Sequence, residues 1–546
     1  MKSIYNKILS LGVVALLAPT LTGCIEELEP ETSQVTEEQV KESPASSEAL
    51  KMAMPAYFNQ YSDTGWHYSF GYAAQMMIRN MLGGDAGFNI SNYSSHFYYW
   101  GINQYQGSDY VFAGYVWSYY YGFLLAVNQM ISTVDPESAS ESQLGALGAA
   151  YAFRSLIYLD MARMYEFLPN EIFPDGKNAE GMNVTGLTVP IVTDVTPASE
   201  ARNNPRVKHE DMVKFILSDL DNAEKYIVNL TDFSGNVLPD LACVYGLKAR
   251  LYMWDEDYAN AKKYARLAID NSKVGPISKE EALSTTNGMN TAADFMWAGQ
   301  QTSEDRTVTT GIVNWSSWAT NQTTFGYTGP ATGLYLICDA KFYDRISDTD
   351  WRKLWFQAPA GSPLRAEIPY MTPGEASSLV PYASIKFRPA QGNKTSYATG
   401  AASAYPVMRV EEMYFIEAEA TAQQDPAAGL ELCKNFMTAY RNPNYVSRAT
   451  EKEAVIGEII FQKQVELWGE GQRFFDVKRL NLSVTRGYPG TPFFSQLRLN
   501  TNGRPAWTNL VISRNEVMNN EGIKNYNNPD PSDKYTIWVD PSEAGE

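Results

Sequence analysis

From Val111 to Val134, and again from Leu144 to Tyr165, apolar residues return every three or four positions. Leu144, Leu147, Tyr151, Tyr158, Met161 and Tyr165 show the spacing, which is that of a helix with one buried face. Asp211 to Val228 repeats the pattern through Met212, Phe215, Ile216, Leu220, Ala223 and Ile227. Three long helices are predicted. Upstream, Thr36 and Gln39 have capping-box spacing, and Ser46 or Ser47 opens a helical stretch through Ala49, Leu50, Ala53, Met54 and Tyr57. The folded body is expected from about residue 36.

Between Ala242 and Asn271, the residues Tyr245, Ala249, Tyr252, Ala261, Ala265 and Ala268 stand at tetratricopeptide spacings, where small side chains let two antiparallel helices approach. Ala249, Ala261 and Ala268 reproduce the intervals of 12 and 7 residues, although Ala265 replaces the phenylalanine that the repeat expects. Asp255-Glu256-Asp257 supplies the turn. A looser counterpart runs through Tyr414, Ala418, Ala420, Leu430 and Met437, turning at Asp425-Pro426. Between about 272 and 404 the period fades. Gly, Ser, Thr, Pro and aromatic residues take over, as in Trp315-Ser316-Ser317-Trp318 and Phe325-Gly326-Tyr327-Thr328-Gly329-Pro330. Long irregular segments in compact domains are often functional, so this lobe is a candidate for ligand contact. The expected fold is mostly α. Tetratricopeptide-like helix pairs form a framework over about 36–271 and 405–480, joined to a loop-rich ligand-binding lobe over about 272–404 and a C-terminal segment, 481–546.

The N-terminus has a different character. Lys2 and Lys7 precede an apolar run from Ile8 to Leu16 that continues to Leu21 and ends in Leu21-Thr22-Gly23-Cys24. The run is too short to span a bilayer and reads as a secretory signal. Its last four residues resemble a bacterial lipobox. Residues 1–23 are therefore expected to be a lipoprotein signal peptide, with Cys24 as the lipid attachment site and the acidic stretch 24–35 as a tether. Each buried CH₂ of an acyl chain is worth about 0.8 kcal/mol, enough for a multiply acylated cysteine to hold a soluble body at a membrane.

Composition narrows the function classes. The 546 residues are 44% hydrophobic and 13% aromatic, which provides ample material for a core. The net charge is −18, and removing 1–23 takes it to −20, so no nucleic-acid partner is expected. No two of Cys24, Cys243, Cys338 and Cys433 are spaced as a CxxC metal or redox motif. His67, His96 and His209 include no i,i+4 pair for a helical zinc site. Asp344, Asp348 and Asp350 lack EF-hand spacing and read as a solvated helix end. No nucleophile elbow or phosphate loop occurs, so hydrolase and nucleotidase readings lose their usual support. A carboxylate pair for glycoside hydrolysis stays open among 62 acids. Positive signals are aromatic. Trp66-His67-Tyr68, Tyr93 and Phe97-Tyr98-Tyr99-Trp100 flank Gly83–Gly87, and the second lobe adds Trp315, Trp318 and Tyr327. Flat rings suit the C–H faces of sugars, with Asp and Asn available for the hydroxyls.

The order of features resembles the SusD/RagB family of nutrient-capturing surface lipoproteins. The carrying segments are Val35-Thr36-Glu37-Glu38-Gln39, Trp117 with Tyr121 and Asn128, Gly186–Val192 with Arg202, and Tyr405–Glu412 with Glu417–Ala420. The most specific is Glu466–Leu480, read as a helix ending at Gly471 followed by a turn in which Arg473, Asp476 and Arg479 can pair. Gln462 and Lys463 depart from the family's Glu-Arg pair, as Ile512-Ser513-Arg514-Asn515-Glu516 does from its Ile-Pro form. The resemblance implies a single body over 36–546 with a ligand face built from loops, and it implies no catalysis and no cofactor. It also implies ligand contact at Trp100, Asn103, Trp315, Trp318 and Tyr327. Its functional expectation is a glycan-binding lipoprotein, anchored in the outer membrane and facing the exterior. Such a protein captures oligosaccharides or polysaccharides for a SusC-like TonB-dependent transporter. The alternatives are a peptide-capturing member of the same family and, less favoured, a surface glycoside hydrolase.

Overall fold

The computed structural model describes residues 44–62, 66–91, 95–367 and 372–542. The expected signal peptide, Cys24, the tether and the capping box at Thr36 lie outside these residues. The helical periods fold close to where the pattern predicts: α1 (Pro44–Ala56), α2 (Tyr72–Leu82), then strand β1 (Ala86–Phe88), α3 (His96–Gly101), α4 (Val111–Ser132) and α5 (Glu141–Tyr165). A reciprocal capping box starts α5, in which Ser140 and Gln143 satisfy each other's backbone N–H groups. Every residue of α5 from Ala152 to Tyr165 is buried, so this helix is the axis of the core. Helix α6 (His209–Ile227) packs along it. Helices α7 (Leu241–Trp254) and α8 (Tyr258–Asn271) form the expected pair. Asp257 caps α8 by accepting from the Asn260 N–H, and Ala249, Ala261, Ala265 and Ala268 are fully buried where the two helices meet their neighbours.

The lobe between 272 and 404 is less open than its composition suggests. It contributes β2 (Trp297–Gln300), α9 (Trp315–Ala319) and β3 (Leu336–Cys338), and β4 (Ala404–Met408) follows directly. Two small antiparallel sheets tie it to the framework, β1 with β3 and β2 with β4. One apolar core runs through both parts, from Met54 to Ile523.

Helices α10 (Val410–Gln424) and α11 (Pro426–Tyr440) form the second pair, with Asp425 capping α11 and Pro426 in its first turn. Helix α12 (Lys452–Glu466) ends earlier than Gly471, because Gly469 and Gly471 both adopt left-handed backbone, and α13 (Arg473–Arg479) follows. The described residues are predominantly helical with four short strands, a mostly α fold.

Glu466 is the electrostatic centre of this region. It is fully buried and accepts hydrogen bonds from Arg441 (2.7 and 2.9 Å), Arg409 (2.7 Å) and Arg352 (3.1 Å). Burial pushes its carboxyl up, but the Arg441 and Arg409 guanidiniums prevail and hold it well below the usual range. The departures at Gln462 and Lys463 are both used. Gln462 accepts from Arg352 at 2.6 Å, and the Lys463 ammonium lies 3.1 Å from Asp476, which also pairs with Arg479 at 2.7 Å. Asp348 and Asp350 pair with Lys353 and Arg352, both at 2.7 Å. Among the described residues, no three His, Cys, Asp or Glu gather to hold a metal ion, and no helix is long and apolar enough to cross a membrane.

Candidate functional site

Four of the five residues expected at the ligand lie beneath the surface. Trp315 and Trp318 are 1% and 0% exposed, so the reading of these rings as an open stacking platform is corrected. Both lie on α9, whose N-terminus is capped by Asn314, and their three-residue spacing turns both inward. Trp315 meets Phe387 edge-on at 5.0 Å. Trp318 donates from Nε1 to the His67 carbonyl (3.1 Å) and meets Phe97 edge-on at 5.0 Å. The segment reads as a polar loop because it is rich in hydroxyls, yet those of Ser316, Thr320 and Thr328 are satisfied internally. Ser316 pairs with Ser403 at 2.8 Å, Thr320 donates to the Ser316 carbonyl, and Thr328 donates to the Trp318 carbonyl. Trp100 is likewise 1% exposed, packed against Phe112 at 5.0 Å and Tyr68 at 5.3 Å. Asn103 is buried and structural, bonding to Gln106 and accepting from the Lys534 N–H. Tyr327 differs from the other four. Its ring stacks on Trp318 (4.6 Å, 19°) and stays half-buried beside Tyr61.

In front of this layer opens a cleft of about 450 Å³. One wall is the chain leaving α1, with Tyr57, Gln60, Tyr61 and Ser62; the other is the first two turns of α4, with Val111, Gly114, Tyr115, Ser118 and Tyr119; Tyr68 completes it. Five of the ten lining residues are tyrosines and none is charged. The loop-rich lobe holds the first wall in place. Asn59 donates to the Gln300 carbonyl (2.5 Å) and to Asp305 (3.2 Å), and the Tyr405 hydroxyl donates to the Phe58 carbonyl (2.9 Å). Across the cleft, Tyr115 donates to the Tyr68 carbonyl (2.8 Å) and meets its ring edge-on at 4.7 Å. Burial raises the phenols of Tyr57, Tyr115 and Tyr119, so the surface stays neutral. Gln60 and Ser118 are exposed and offer polar contacts to a ligand.

Ring contacts connect the cleft to the buried layer. Trp66, 48% exposed, meets His96 edge-on at 5.2 Å; His96 meets Tyr68 at 4.9 Å and His67 at 5.1 Å; His67 meets Trp318 and Tyr327. His67 Nε2 accepts from the His96 backbone N–H (2.8 Å), which places its proton on Nδ1. Burial, with His96 nearby, pushes His67 down to about 3, and burial also lowers His96. Both histidines thus face the site as neutral rings.

The sequence pattern points at the right neighbourhood through Trp66-His67-Tyr68 but misses Tyr57, Tyr61, Tyr115 and Gly114. Gly114 carries the signal that could have found them. It interrupts a helix, where glycine costs roughly 1 kcal/mol relative to alanine, and nothing stands within 4 Å of where a Cβ would be. Packing does not require that glycine; an open cleft uses it.

Residues 302–540 match the family model described as SusD family. A SusD-like protein, P2, from Formosa agariphila is 22% identical over 391 residues, covering 67% of this chain and 71% of its own length. A solved SusD-like carbohydrate binding protein from Bacteroides vulgatus superposes with a TM-score of 0.68 at 18% identity, covering 88% of this chain and 96% of that one. Another SusD-like carbohydrate binding protein, from Bacteroides fragilis, gives 0.61 at 15% identity, covering 88% and 99%. The chain thus matches the SusD family model through residues 302–540 and shares the fold of these solved structures along 88% of its length.

Proposed function

We propose that this protein is a cell-surface glycan-binding lipoprotein that captures oligosaccharides or polysaccharides and passes them to a TonB-dependent outer-membrane transporter. The observation that carries the reading is the uncharged, tyrosine-lined cleft between α1 and α4. Its volume is that of a small-molecule site, and its rings and exposed amide and hydroxyl groups match the alternating C–H faces and hydroxyls of a sugar. Relatives described as carbohydrate binding share the fold. The role is binding rather than catalysis. Attachment through Cys24 and the acidic tether supports a place on the membrane surface, with the body in solvent.

The test is calorimetric titration of residues 25–546 against plant, host and microbial polysaccharides, with mixed peptides alongside. Saturable glycan binding that Gly114→Trp abolishes and Gly114→Ala preserves is the expected result, since the tryptophan fills the cleft from a position with open space. Binding of peptides only, or glycan binding indifferent to the Gly114→Trp plug, would overturn the reading.

A further inference from the structure

Beside the cleft, the chain displays three tyrosines in a row. The Tyr105 ring lies between Tyr99 at 5.2 Å and Tyr110 at 5.1 Å, with both contacts edge-on. Tyr105 is 44% exposed and Tyr110 is 43% exposed, while Tyr99 is half-buried. Two of these positions go against local stability. Tyr105 has φ of +58°, a left-handed conformation that is a genuine outlier for a bulky side chain. Tyr110 occupies the N-cap of α4 and makes no side-chain cap bond there, although Ser, Thr, Asp and Asn are the residues that satisfy this position. Strain of this kind persists only where the surroundings over-determine it.

The surroundings do so here. Asn103 accepts at its backbone oxygen from the Asp533 N–H (2.9 Å), and Gln106 donates its backbone N–H to Ser532 (2.9 Å) and its side-chain amide to the Trp100 carbonyl (2.8 Å). The Arg514 N–H donates to the Ser108 carbonyl (2.9 Å). Tyr110 directly precedes Val111 and accepts at its backbone oxygen from the Gly114 N–H (3.3 Å), and both of those residues line the cleft. The ring row therefore begins at the cleft's edge.

We infer that Tyr99, Tyr105 and Tyr110 form a second glycan-binding ledge continuous with the cleft, so that the protein holds the interior of a polysaccharide chain rather than only a short oligosaccharide. This rests on the proposed glycan reading. Local rules broken without a packing gain mark functional positions, and the occupant is set by continuity with a neutral aromatic cleft. Binding the interior of a chain requires subsites on both sides of that cleft's mouth, and the ledge supplies one side.

The experiment titrates wild type, Tyr105→Gly, Tyr110→Ser and Tyr105→Phe with the polysaccharide that wild type binds and with size fractions of its hydrolysate. Glycine relieves the left-handed strain and serine caps α4, so both ring deletions are expected to keep or raise Tm. The expected result is that each weakens the polymer about five- to tenfold while the shortest binding fraction is unaffected, and that Tyr105→Phe stays near wild type. Equal affinity for polymer in all four proteins would overturn the ledge and leave the cleft standing. Failure of every glycan to bind wild type would overturn the underlying reading and the ledge with it.

Discussion

At the scale of single residues, burial divides the aromatic side chains into those that hold the site and those that can meet a ligand. Trp318 belongs to the first group. Trp318→Ala is expected to cost about 3–5 kcal/mol, read as a large fall in Tm, because it removes a fully buried ring and its Nε1 hydrogen bond. The histidines act in opposite directions. His67 is held far below its ordinary value of 6.5, so the unfolded chain takes up a proton that the folded one refuses. Stability should fall as pH drops below about 6.5, and His67→Gln should flatten that fall in Tm-versus-pH scans. His209 sits between Glu166 (2.9 Å) and Asp255 (3.3 Å). Burial lowers it, but the two carboxylates outweigh burial and raise it. Its contribution is complete below the ordinary histidine value and lost as pH rises through the raised one, so His209→Gln should remove a decline on the alkaline side. None of this division is legible in the sequence, which shows ring density but not which ring covers which. The hydroxyl-rich surroundings of Trp315 and Trp318 look solvent-facing in one dimension, yet their donors close on backbone carbonyls within the lobe.

Elements were far more legible. Periodicity located α4 to α8, and turn chemistry located the breaks within both helix pairs, because a one-sided apolar stripe and an Asp cap are local properties. What local pattern could not show was the end of α12, set by Gly469 and Gly471, or the convergence of Arg352, Arg409 and Arg441 on Glu466 from segments far apart in the chain. That convergence makes a clear prediction. Glu466→Gln leaves three buried guanidiniums short of their shared carboxylate and should destabilise by about 3–5 kcal/mol in chemical unfolding, with the cleft's ligand affinity unchanged once folded. Gly114 is the opposite case. Gly114→Ala should raise stability by about 0.5–1 kcal/mol on helix propensity alone, measured by the same unfolding curves.

For the whole molecule, framework and lobe share one apolar core, and two small sheets join them: β1 pairs with β3 and β2 with β4. The lobe's task is positional, since Gln300, Asp305 and Tyr405 fix the wall that carries Tyr57 and Tyr61. Anchoring belongs to this scale as well. Cys24→Ala is expected to move the protein from the membrane to the soluble fraction, and persistent membrane association in that variant would remove the anchor from the account. The bonds that pin the Tyr105 loop add a matter of timing. They join residues 426 and 431 positions apart, so the loop is made early and secured late. A chain emerging from its N-terminus carries these tyrosines long before it carries Ser532 and Lys534. Until then the loop is free to relax out of its left-handed turn, and its rings are not yet in the array that the finished fold displays.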